Sequence, residues 1–243
     1  MTHPAPQPSD HTLPQQSTSP DATTQQAPAG RRERPRRFTD WVQQLCTQDP
    51  GARTALRSGL RKDLDQVPRM HRFVAPWLPD SQLPADTERA YYAIAAMIAA
   101  QPRAAPIDPP TDEHPKGDGR RERSWGTSLG TAFALAAVEG PGREKVMRES
   151  TAEARLNLLT RQSVTGLHRH LPAAVGYLRG LDVAVDFAQL LDDLSNWRRH
   201  SGRIKRRWLQ DYYRLRDRQR DEQADQDDAG EQADHSDTVP PGK

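Results

Sequence analysis

Between Trp197 and Tyr213 the chain reads WRRHSGRIKRRWLQDYY, in which six residues are Arg or Lys and four are Trp or Tyr. Two chemistries use that mixture. If rings and cations are interleaved, the rings stack unpaired bases while the cations hold phosphates. If they are separated onto opposite helix faces, the rings belong to a core and the cations form a surface for nucleic-acid backbone. At about 100° per residue from Arg203, Ile204, Trp208, Tyr212 and Leu215 fall between about 100° and 180°. Arg203, Arg207 and Arg214 fall between about 0° and 40°, with Arg206 near about 300°. The spacing therefore predicts an aromatic core stripe backed by a basic face. No acid interrupts residues 198–210, so Arg198, Arg199 and Lys205 add to the same sign, as does the run Arg120, Arg121, Arg123. For any one of these cations the plain alternative is a solvated charge on a core helix.

Residues suited to catalysis are placed less well. His168 and His170 stand two apart in a segment that reads as helix, so they diverge and share no metal. Asp192 and Asp193 are neighbours whose side chains point about 100° apart, which suits solvated or salt-bridged carboxylates better than an acid–base pair. Cys46, the only cysteine, reads as a small core residue of the WVQQLC helix and supports neither a disulfide framework nor a cysteine-based metal site. SWGTSLG lacks the GK[ST] ending and G-x-G-x-x-G spacing of a phosphate loop, and Gly126 and Gly130 read as sites of close helix packing. No enzyme, no cofactor and no bound metal is expected.

The elements that must carry the basic face are helical. No segment alternates with period two. In FTDWVQQLCTQ, Thr39 is placed as an N-cap, with Trp41 and Leu45 on one face. GARTALRSGL follows and closes at Gly59. Pro68 opens a short helix; ADTERAYYAIAAMIAA is an Ala-rich helix entered from Asp86 or Thr87 and ended before Pro102. Residues 102–122 read as a polar loop. SLGTAFALAAV resumes the pattern, and two or three helices cover roughly 143–179. In 186–199, Asp186 can cap and Gln189 takes the capping-box position. There Phe187, Leu190, Leu191, Leu194 and Trp197 make one buried stripe. Gly202 is expected to break that helix, and a last one to run to about residue 220. The fold class is thus all-α: a single helical domain of about eight to ten helices.

Composition confines that domain to the middle of the chain. Hydrophobic residues are 34% of the total and there are 21 prolines. Residues 1–30 are rich in Pro, Gln, Ser and Thr and residues 221–243 are acidic; neither can bury enough surface to offset the entropy of ordering it, so both are expected to be disordered. The tails carry −2 and −7 while the whole chain is +2, which leaves +11 for residues 31–220. That excess points to a polyanion. The acidic tail could fold back over the basic domain, or serve only as a solubilising segment. The longest apolar run, YYAIAAMIAA, is about half a bilayer crossing. The N-terminus lacks the pattern of a signal peptide, so a cytoplasmic location without membrane contact is expected.

The order of six blocks carries a further signal. DPGARTALRSGL, RFVAPWLP, SLGTAFALA, RLNLLTRQSVTGLHRHLPAAVGYL, VDFAQLLDDLSNW and RIKRRWLQDYY, in this order, resemble the CasB family, the likeness covering about residues 38–214. That family is the small subunit of the type I-E Cascade, an RNA-guided CRISPR surveillance complex. The resemblance implies a non-catalytic all-α subunit, two copies of which pack beside the backbone subunits. Its basic surfaces would hold target DNA and the displaced strand, stabilising the R-loop in antiviral defence. The implied partners are the other Cascade subunits, backbone and large, with guide RNA and target DNA. Arg57 and Arg169 match positions where the family tends to be basic; Thr131 stands where some members carry a basic residue, with Arg123 as a substitute. With Arg61 and Lys62, which close the segment after TALRSGL, these residues and the α-helical cations above form the candidate nucleic-acid-binding set. Two other readings fit the same residues, a free-standing helical DNA-binding regulator and a protein-interaction adaptor.

Overall fold

The computed structural model describes residues 30–78, 83–102, 126–138 and 145–236, with side chains described from 33 to 225. Every regular element among the described residues is helical: α1 Gly30–Gln48, α2 Pro50–Arg57, α3 Pro68–Val74, α4 Ala85–Ala99, α5 Leu129–Ala136, α6 Glu149–Thr160, α7 Val164–Gly180 and α8 Phe187–Ser236, with two short 3-10 turns around α3. The all-α expectation holds. None of these helices is long and apolar enough to cross a membrane.

Short polar side chains start the helices where they relieve unpaired N–H groups. Asp49 accepts from the Gly51 and Ala52 amides at 2.7 and 2.9 Å. Ser128 accepts from Thr131 and Ser163 from Gly166, opening α5 and α7. Asp186 opens α8 by accepting from the Gln189 amide at 2.8 Å and ties down the Thr127 amide at 3.1 Å with its other oxygen.

Four local expectations are corrected. Thr39 is no N-cap: α1 begins nine residues earlier and Thr39 Oγ1 donates to the Arg36 carbonyl at 2.9 Å. α4 begins at Ala85 behind Pro84 rather than at a capping Asp86 or Thr87. Those two side chains instead dock α4 onto α8, Asp86 accepting from Arg198 and Thr87 donating to the Ser195 carbonyl. Gln189 does not close a capping box; its Nε2 donates to Asp193 at 2.9 Å. The break in α8 falls at His200 (φ −132°, ψ 22°) rather than at Gly202.

The break at His200 is large. A straight helix would hold residues 193 and 208 about 22 Å apart, yet Trp208 Nε1 donates to Asp193 Oδ2 at 2.7 Å. α8 is therefore two arms folded against each other, with the Trp197 and Trp208 rings 5.2 Å apart at the elbow. Around the arms lie α4, α5 and α1, and α4 in turn carries α1, α2 and α7. The predicted stripe is the centre of this core: Phe187, Leu190, Leu191, Leu194, Trp197, Ile204, Trp208 and Tyr212 are all buried. A second aromatic group (Phe38, Trp41, Trp77 and Tyr91) joins α1 to α4. The second arm continues as helix past Arg220 to Ser236, through residues the sequence reading leaves without regular structure. The tail 1–29, the loop 103–125 and residues 237–243 lie outside the described residues.

Candidate nucleic-acid interface

The second arm of α8 puts its aromatics and its cations on different sides. Ile204, Trp208 and Tyr212 are 4%, 0% and 1% exposed, whereas Arg203, Arg206 and Arg214 of the same arm are exposed, as is Arg199 at the end of the first arm. None of these four arginines pairs with an acid among the described residues. Among the described residues these charges are not neutralised by an ion pair, an arrangement suited to backbone-phosphate contact.

Other members of the candidate set have occupations of their own. Arg207 is ion-paired to Asp193, whose side chain is only 2% exposed. Burial pushes the Asp193 carboxyl above its ordinary range, opposed by Arg207 and by donation from Trp208 and Gln189. Arg207 thus neutralises a buried carboxylate while its own side chain stays 40% exposed. Arg198 pairs with Asp86, and that contact holds the Asp86 carboxyl below the usual carboxylate range. Lys205 is half-buried with Nζ 5.4 Å from the Trp197 ring centre, a cation–π contact across the elbow. Arg120, Arg121 and Arg123 lie outside the described residues.

Three further candidates meet elsewhere. Arg61, Lys62 and Arg169, all exposed, line one cleft of about 450 Å³ between the segment after α2, α4 and α7. Arg61 has φ +63°, a left-handed conformation that costs an arginine about 1–2 kcal/mol, and it turns the chain so that Lys62 shares the same rim. Arg89 lies in the cleft too, bonded to Asp63 at 2.6 Å. Arg57 is exposed near the end of α2 and outside this lining. His168 lies in the cleft at 6% exposure, and neither ring nitrogen has a hydrogen-bond partner among the described residues. Its pKa is depressed to about 4 by burial and by the nearby Arg89. Sequence reading gave His168 only the exclusion of a shared metal with His170; no periodicity signals that three elements converge on it.

The chemistry available for catalysis is thin. His170 is exposed while His168 is buried, so the pair diverges. The Cys46 thiol is pushed up to about 11 by burial, which leaves it protonated and a poor nucleophile. Among the described residues no group of three or more His, Cys, Asp or Glu could hold a metal ion.

Comparison with known proteins now bears on this geometry. Residues 52–213 match the family model of CRISPR-associated protein Cse2. The chain belongs to the Cse2 family. A Cse2 protein of Thermus thermophilus is 27% identical over 181 residues, spanning 73% of this chain and 88% of that protein. A chain of a structure described as a CRISPR RNA-guided surveillance complex superposes with a TM-score of 0.64 at 33% identity, covering 79% of this chain and 98% of its own. The crystal structure of CasB from Thermus thermophilus gives a TM-score of 0.52 at 25% identity, covering 74% and 97%. The Cse2 match contains both the cleft and the α8 elbow, and it stops just after buried Tyr212, at exposed Tyr213. The acidic continuation of α8 lies beyond it. Thr131, which follows the SLG motif, donates its amide to the Ser128 hydroxyl at 3.3 Å at the start of α5.

Proposed function

We propose that this chain is the non-catalytic small subunit of a type I-E Cascade surveillance complex. In that role it holds nucleic-acid backbone on its basic faces and stabilises target DNA and the displaced strand in the R-loop. The observation that carries the reading is the exposed set Arg199, Arg203, Arg206 and Arg214, backed by a buried aromatic stripe on the same helix. Membership of the Cse2 family and the likeness to a chain of a CRISPR RNA-guided surveillance complex supply the setting. The partners are then the backbone and large Cascade subunits, guide RNA, target DNA and a second copy of this chain. R-loop formation exchanges one duplex for another at nearly balanced free energy, so a few backbone contacts suffice to shift it. A surface built for that task is positive and indifferent to sequence, as an arginine face is when it contacts only phosphates.

Two measurements test it. Purification of the tag-free protein from its host should bring guide RNA and partner subunits with it; a regulator or an adaptor would come without guide RNA. In the reassembled complex, Arg→Glu changes at Arg203, Arg206 and Arg214 should weaken target binding equally for all matched target sequences. Each lost duplex phosphate contact should reduce the salt slope by roughly 0.9, and by less on a single strand. Unaltered target affinity and salt slope would defeat the proposal.

A further inference from the structure

The cleft lined by Arg61, Lys62 and Arg169 is more than a patch of charge. Its volume of about 450 Å³ lies within the range of small-molecule sites and exceeds what a phosphate group alone fills. Leu64, Val67, Met70 and Ala93 make an apolar lining, the three cations stand at exposed positions, and His168 supplies the unsatisfied polar group inside. A buried polar group without a partner is uncommon and asks for an explanation. Neutral imidazole offers one N–H donor and one lone-pair acceptor. A phosphate carries acceptors only and would leave half of that pair unmet; a nucleobase edge carries both a donor and an acceptor. Cations outside, apolar walls and a donor–acceptor pair within together describe the chemistry of one nucleotide.

We infer that this cleft takes up a single nucleotide of an unpaired strand, its base directed inward toward His168 and its phosphates held by Arg61, Lys62 and Arg169. The inference rests on the proposed function for the presence of nucleic acid, and it adds a site distinct from the arginine face of α8. An inserted base contributes through stacking and burial, to which backbone-only binding is blind. Such a site would hold an unpaired strand and give duplex DNA nothing to insert.

The test uses the full-length protein and two labelled strands of equal length and charge, one of thymidines and one of abasic sites. The thymidine strand should bind several-fold to about a hundredfold more tightly, the range base stacking supplies. Thr165→Trp, at an exposed position on the cleft wall, should abolish that difference while leaving the affinity for the abasic strand unchanged. His168→Phe keeps a ring in place and should reduce the difference. Lys62→Glu with Arg169→Glu should weaken both strands. Equal affinity for the two strands would overturn the cleft assignment. If the Arg203, Arg206 and Arg214 variants then still weaken both strands, the proposed function survives and only the nucleotide site falls. If neither strand binds, the nucleotide site falls, and the proposed function is decided by target affinity in the reassembled complex.

Discussion

At the scale of single residues, two arginines four positions apart do different work. Arg203 is exposed and pairs with no acid among the described residues, whereas Arg207 neutralises buried Asp193. Arg207→Glu should therefore cost about 3–5 kcal/mol of stability by leaving a buried carboxylate facing a like charge. Arg203→Glu should leave the melting temperature nearly unchanged. Comparable thermal shifts for both would contradict the assignment. Trp208→Ala should cost about 3–5 kcal/mol as well, since it empties the core and removes a donor from Asp193. His168 makes a pH prediction. Its folded pKa of about 4 lies below its ordinary 6.5, so protonation favours the unfolded chain. The stability it permits is complete above about pH 6.5 and is lost as pH falls toward 4, by about 3 kcal/mol. Denaturant titrations from pH 7 to 4 should show His168→Phe losing less stability than the parent over that window. Parallel curves would show that the ring does not titrate as its burial requires.

At the scale of elements, α5 approaches the second arm of α8 through Gly130. A Cβ built there would lie 1.8 Å from the Trp208 carbonyl oxygen, a backbone atom that cannot yield. Gly130→Ala should thus force the helices apart, at about 1–3 kcal/mol or more. Gly176→Ala, at an exposed position of α7 with nothing within 4 Å, should stabilise by about 0.4–1 kcal/mol. Calorimetry on the two variants should give melting shifts of opposite sign; a destabilised Gly176→Ala together with a tolerated Gly130→Ala would refute this packing. The elements differ in how much of them the sequence discloses. The stripe Phe187 to Trp197 and the opposed faces of 203–215 were legible because helical periodicity is local. The elbow was expected at Gly202 and falls at His200, because the pairing of Asp193 with Arg207 and Trp208 sets the turn, and that pairing is tertiary. Thr39 has the composition of a cap, but α1 runs through it. The cleft was not legible at all: Arg61 and Lys62, Arg89, and His168 with Arg169 come from three separate parts of the chain. The α8 arginines could be read as a set because one helix carries them.

At the scale of the whole molecule, residues 31–220 carry +11 and the following segment is acidic. α8 carries the chain outward as helix to Ser236. Since a helix advances about 1.5 Å per residue, Ser236 lies about 33 Å along the arm from Arg214. A helix that continues along that axis leads the backbone away from Arg203, Arg206 and Arg214. Deleting residues 221–243 should consequently leave DNA affinity at low salt nearly unchanged; a gain that fades as salt rises would mean that the segment folds back and competes with phosphate. The account as a whole depends on the separation of the two faces of α8. The most direct test measures melting temperature and target-DNA affinity together, in the assembled complex, for the Arg203, Arg206 and Arg214 charge reversals and for Trp197→Ala. The arginine variants should melt normally and bind weakly, and the tryptophan variant should lose stability. Arginine variants that bind target DNA normally, beside a tryptophan variant that stays folded and loses binding, would place the site on the aromatic face and contradict the account.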